Sequence, residues 1–75
     1  MQFSELTVGM TAKILSLKAG DKAYRQRLIA MGLIPGITFT VRRMAPLGDP
    51  IEINVRGFAL SLRKKEADML QIEII

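Results

Sequence analysis

Apolar and polar positions alternate over most of the second half of the chain. Ile37, Phe39 and Val41 are interleaved with Thr38, Thr40 and Arg42, and Ile51, Ile53 and Val55 with Glu52, Asn54 and Arg56. A period of two marks strands with one face buried. Leu70-Gln71-Ile72-Glu73-Ile74 alternates in the same way and predicts a last strand. Nearer the start, Thr11 to Leu17 is rich in branched and apolar residues, but its alternation fails at Ile14-Leu15. Such a strand is either covered on both faces or bulged, and the element that follows it is the natural cover. Asn54-Val55-Arg56-Gly57 puts Asn first and Gly fourth in a type I turn, which predicts a hairpin into Phe58-Ala59-Leu60-Ser61-Leu62.

Between the first and second strands the period changes. Tyr24, Leu28 and Met31 recur at helical spacing, with Lys22, Arg25, Gln26 and Arg27 around the rest of the circumference. Asp21 is the expected N-cap, Gly32 the expected stop, and Pro35 prevents a restart. Residues 45–50 read as a loop. Residues 63–69 are charged and lack β-branched side chains, which predicts one helical turn before the last strand. The connections within the second half are too short for parallel crossovers. The expected fold is therefore mainly β, a small barrel of about five strands with one inserted α-helix. Closure of that barrel would protect its strand edges.

Composition narrows the function. The chain has 75 residues, 49% apolar and 24% charged, which is enough for one core and predicts a single domain over 1–75. Without Cys there is no disulfide and no thiolate metal site; without His the commonest general base and metal ligand are missing as well. No pair of carboxylates has a spacing that proposes acid–base work, so the expectation is no enzyme, no catalytic residue, no metal site and no cofactor. Glu66 and Asp68 read as solvated charges and Asp49 as a turn former bonding nearby amides. Gly32 and Gly36 lack the Lys-Ser/Thr pair of a phosphate loop. The start, Met1 to Glu5, has neither the basic region nor the apolar stretch of a signal peptide, and the run from Leu28 to Phe39 is too short and too interrupted to span a bilayer. A cytoplasmic protein with no direct membrane insertion is expected.

A formal charge of +4 leaves nucleic acid, anionic lipid and acidic protein surfaces open as partners. Arg42, Arg43, Arg56, Arg63, Lys64 and Lys65 are the set a nucleic-acid module would use. Single-strand binding in a barrel also needs stacking aromatics, and Phe39 and Phe58 are expected in the core, so nucleic acid is disfavoured. With no Trp and one Tyr the chain also lacks an aromatic groove for proline-rich peptides.

Four stretches taken together are more specific: Leu6-Thr7-Val8-Gly9; Leu28 to Gly36, with its Met31-Gly32-Leu33-Ile34-Pro35-Gly36 core; Gly48-Asp49-Pro50-Ile51; and Leu60 to Ala67, with its Leu62-Arg63-Lys64-Lys65-Glu66-Ala67 run. In this order and separation they resemble the FeoA family of bacterial ferrous iron transport, over essentially the whole chain. The resemblance implies an SH3-like barrel carrying an inserted helix, similar also to the C-terminal domain of iron-dependent repressors. It implies a cytoplasmic accessory of ferrous iron uptake that contacts FeoB, a membrane transporter with a cytoplasmic G-protein domain. A weak, carboxylate-based iron sensor is a further alternative, since hard or borderline divalent ions accept carboxylates.

The residues themselves offer a place for such contact. Met31, Leu33, Ile34 and Pro35 gather apolar atoms where the helix gives way to a turn, and Arg25 and Arg27 flank them with positive charge. Met and Pro cover a partner adaptably, and basic neighbours suit an acidic one. Two roles remain open for Met31, Leu33 and Ile34, partner contact or closure of the barrel.

Overall fold

The computed structural model describes residues 5–18, 20 and 22–75. The elements are β1 (Thr11–Leu17), α1 (Lys22–Ala30), β2 (Thr38–Met44), β3 (Ile51–Val55), β4 (Phe58–Leu62), α2 (Lys64–Ala67) and β5 (Leu70–Ile74). The strands form one antiparallel sheet in the order β4-β3-β2-β1-β5. All five send side chains into one core. Ala12 and Ile14, Phe39 and Val41, Ile51, Ile53 and Val55, Leu62, and Leu70 and Ile72 meet Leu6, Leu28, Leu33, Ala67 and Met69 there. A sheet whose five strands share one core on one face must curl around it, as in a small barrel.

The bends have visible causes. Register shifts between Ile14 and Ser16 on β1 and between Val41 and Arg43 on β2 mark bulges, which increase local twist. The first explains the failed alternation at Ile14-Leu15. The alternative expectation, that α1 covers the outer face of β1, does not hold, because Leu15 stays 49% exposed. Hydrogen bonding does not close the barrel either. Among the described residues β4 and β5 are the two edges of the sheet, and neither pairs with the other.

Two other expectations are corrected. The β3–β4 hairpin does not turn as type I at Asn54 to Gly57; its strands end at Val55 and restart at Phe58, with Arg56 at φ 54° and Gly57 at φ 84°. Two consecutive left-handed residues make a type I′ turn, whose twist matches that of the flanking strands. Asn54 supports it by accepting the Gly57 N–H at 3.1 Å. Phe58, expected in the core, is 72% exposed. Along the core-facing side of β4 exposure falls from Phe58 through half-buried Leu60 to fully buried Leu62, so that face runs off the core at the hairpin end.

The short α2 is held by side chains from far apart. Glu66 Oε1 accepts the Arg63 N–H at 3.1 Å, and Asp49 Oδ1 accepts the Lys64 N–H at 3.1 Å. Asp49 therefore caps a helix 15 residues away instead of bonding nearby amides. Glu66 is not a solvated charge: it is 1% exposed, and its Oε2 lies 3.1 Å from Arg27 Nε on α1. That contact is ionic, since Oε2 has no hydrogen bond of acceptable angle among the described residues. Asp68 is exposed, as expected. The expected N-cap, Asp21, lies outside the described residues.

Candidate protein-contact surface

Helix α1 ends in a way that decides which of its neighbours are available to a partner. Gly32, at φ 87°, donates its N–H to Ile29 O at 3.0 Å, and Leu33 donates to Leu28 O at 3.0 Å. These two bonds constitute a Schellman motif, with Gly32 as the left-handed residue and Leu33 folded back on Leu28. Both leucines are 0% exposed. Leu33 is therefore core: of the two roles open to it from the sequence, closure of the barrel is the one it takes, and it is not part of the contact surface. The helix–Gly–apolar spacing carries that signal, because the residue after the left-handed glycine packs on the last turn of the helix.

The other expected contact residues divide into three places. Met31 is half-buried against the core and lines a shallow groove of about 400 Å³. Ala30 to Gly32 form one wall of that groove, and Arg56, Phe58, Ala59 and Leu60 form the other. Ile34 and Pro35 lie beyond the helix end in a turn tied to β1, where Gly36 N–H reaches Ile14 O at 2.8 Å and Ile14 N–H reaches Ile37 O at 2.9 Å. Ile34 is 39% exposed there. Arg25 is exposed and forms no ion pair among the described residues, whereas Arg27 is engaged with Glu66.

The hairpin wall of the groove, Arg56 and Phe58 to Leu60, is not among the protein-contact residues expected from the sequence. Its signal lies in the turn. Taken as a two-residue turn, Arg56-Gly57 makes Phe58 the first residue of a strand at the mouth of the hairpin, where little covers a side chain. A second hollow of about 120 Å³ lies between the β2–β3 connection and α2, lined by Met44, Leu47, Lys64 and Asp68 among others. Leu47 is 94% exposed at its rim.

The basic residues are distributed over several elements. Arg56 stands at the hairpin end of β4 and Arg63, Lys64 and Lys65 follow its other end, while Arg42 and Arg43 belong to β2. Arg42 approaches Glu52 at 4.0 Å. Among the described residues no three acidic side chains gather as metal ligands, and no helix is long and apolar enough to cross a membrane.

Comparison with known proteins agrees with this geometry. The model of the FeoA domain matches residues 1–74. A curated fusion of Fe(2+) transport protein A with the Fe(2+) transporter FeoB, from Porphyromonas gingivalis, is 36% identical over all 75 residues, and the chain spans 9% of its length. The solution structure of FeoA from Chlorobium tepidum is 43% identical, with a TM-score of 0.88, over 100% of this chain and 70% of that one. The crystal structure of Stenotrophomonas maltophilia FeoA, described as a prokaryotic SH3 domain protein complexed with zinc, is 25% identical, with a TM-score of 0.83, over 97% and 89% of the two chains. The SH3-like fold implied by the sequence resemblance is the fold of these neighbours.

Proposed function

The chain belongs to the FeoA family, whose model spans residues 1–74, and on that footing we propose that it is a cytoplasmic, non-catalytic accessory of ferrous iron uptake that acts by binding the FeoB transporter. The observation that carries the reading is the fusion in Porphyromonas gingivalis, in which a segment related to this chain and a FeoB transporter share one polypeptide. Covalent linkage holds two modules at high effective concentration, which is useful where they work in contact.

The residues support adhesion over chemistry. There is no His or Cys in the chain, and the buried carboxylate, Glu66, caps α2 and pairs with Arg27. What the surface offers is apolar: Met31, Phe58 and Leu60 around one groove, and exposed Ile34 and Pro35 in the turn after α1. Apolar groups at the surface with a basic neighbour, as Arg56 is to the groove, are features of protein contact sites.

The test is direct association of the purified chain with full-length FeoB in nanodiscs, without nucleotide and with guanine nucleotides, together with nucleotide turnover and ferrous iron flux. Saturable binding in at least one nucleotide state is expected. Its absence in all of them overturns the reading.

A further inference from the structure

The free edge of β4 is the feature least explained by folding. In a two-residue hairpin the residues bracketing the turn, Val55 and Phe58, form a hydrogen-bonded pair, and such pairs alternate along an antiparallel ladder. The register Val55↔Phe58, Asn54↔Ala59, Ile53↔Leu60, Glu52↔Ser61, Ile51↔Leu62 then turns the N–H and C=O of Phe58, Leu60 and Leu62 toward β3. Those of Ala59 and Ser61 point away from the sheet, and both residues are exposed. Edge strands are ordinarily guarded by charge, proline or a bulge. The other edge, β5, carries exposed Glu73, whereas Phe58-Ala59-Leu60-Ser61-Leu62 carries none of these devices, and a groove with an apolar rim runs beside it.

The geometry points to β4 as a strand-addition site for an extended segment of a partner protein, about eight residues long, apolar at alternate central positions and acidic at both ends. It rests on the proposed function only for the identity of the protein that supplies the segment. The backbone groups of Ala59 and Ser61 would complete a sixth strand, and the apolar side chains of the segment would enter the groove between Phe58, Leu60 and Met31. The charge requirement comes from the two ends of the strand. Arg56 stands at one end with no acid among the groove-lining residues; at the other, Arg63, Lys64 and Lys65 outnumber Asp49 and Asp68. β4 itself, Phe58–Leu62, is 5 residues long, about 17 Å of extended chain, with the charges just beyond each end, so a segment of about eight residues reaches both.

The same charges argue against a second copy as the occupant. Pairing two β4 strands antiparallel so that each Ala59 faces the other copy's Ser61 would bring the Arg56 turn of each copy toward the Arg63-Lys64-Lys65 end of the other. Like charges brought together at both ends of a strand pair oppose it.

The test titrates the full chain with the peptide acetyl-Asp-Glu-Val-Thr-Ile-Thr-Val-Glu-Asp-amide and follows amide shifts and hydrogen exchange by NMR. At saturation the Ala59 and Ser61 amides should exchange at least tenfold more slowly while Leu60, already bonded to β3, changes little. Affinity should fall several-fold as salt rises. Ala59→Pro removes one outward N–H at a position where edge strands tolerate proline. It should weaken the peptide at least tenfold with the sheet intact by amide dispersion, and weaken FeoB binding in parallel. Unchanged β4 amides at millimolar peptide overturn the inference. So does a dimer that Ala59→Pro dissolves, or a poly-dT oligonucleotide that shifts the same amides more strongly. FeoB binding that survives Ala59→Pro overturns it while leaving the proposed function standing; peptide binding at β4 without any FeoB binding does the reverse.

Discussion

The two ends of β4 solve opposite problems. At the Leu62 end the chain passes into α2, and the carboxylates there serve the fold: Asp49 holds the Lys64 amide, Glu66 holds the Arg63 amide, and Arg27 supplies the counter-charge. At the Phe58 end an aromatic ring is 72% exposed beside a groove, and no neighbour needs it there. Stability is invested at one end and left surplus at the other. Groups that hold a fold are buried with partners, whereas groups that hold a second molecule must wait without them.

The largest effect should come from Arg27→Ala. It strands a carboxylate that is 1% exposed, and whose Oε2 has no hydrogen-bond partner among the described residues. Leaving a buried charge without its partner costs about 3 kcal/mol, reduced toward about 2 here because Arg27 itself is largely in water. Glu66→Gln should cost less, about 1 kcal/mol, since its amide oxygen can still cap α2. Urea denaturation of both variants and of the double variant reads the comparison: Arg27→Ala/Glu66→Gln should be more stable than Arg27→Ala alone. If Arg27→Ala lies within 0.5 kcal/mol of the parent, the ion pair is not what secures that end.

Next come the glycines that frame the groove. Gly32 and Gly57 have φ of 87° and 84°, and a methyl group added at either meets nothing within 4 Å. Any cost of Gly32→Ala or Gly57→Ala is thus backbone strain, about 1 kcal/mol each and close to additive, because the two turns share no hydrogen bond. Thermal melts of the two single variants and the pair test this. A cost well above the sum would show that the helix end and the hairpin are mechanically joined across the groove.

These particulars also show how far the sequence could be read. The alternation of Ile37 to Val41, Ile51 to Val55 and Leu70 to Ile74 sufficed to place β2, β3 and β5, because a period of two has a single structural meaning when one face is buried. The helix stop at Gly32 was equally legible. What stayed hidden depended on partners distant in sequence. Glu66 looks like any surface acid until α1 brings Arg27 to it, and Asp49 looks like a local turn former until α2 presents an amide 15 residues on. That Leu33 is core and Phe58 is not has a related reason. Apolar character predicts burial only where something lies opposite: Leu33 has Leu28 within its own helix cap, while Phe58 sits where the barrel wall ends.

The smallest change in stability should accompany the largest change in binding. Phe58→Thr keeps a strand-favouring side chain and removes a ring that is 72% exposed, so the unfolding free energy should move by no more than about 0.5 kcal/mol. If the hairpin end is reserved for a second molecule, the same substitution removes an aromatic anchor, and truncating such an anchor costs about 2 kcal/mol of binding, or roughly thirtyfold in affinity. Titration of FeoB with the parent and with Phe58→Thr, beside urea melts of both, separates the two quantities. A variant that loses stability and keeps its affinity would place Phe58 with the residues that hold the fold, and the contrast between the two ends of β4 would collapse.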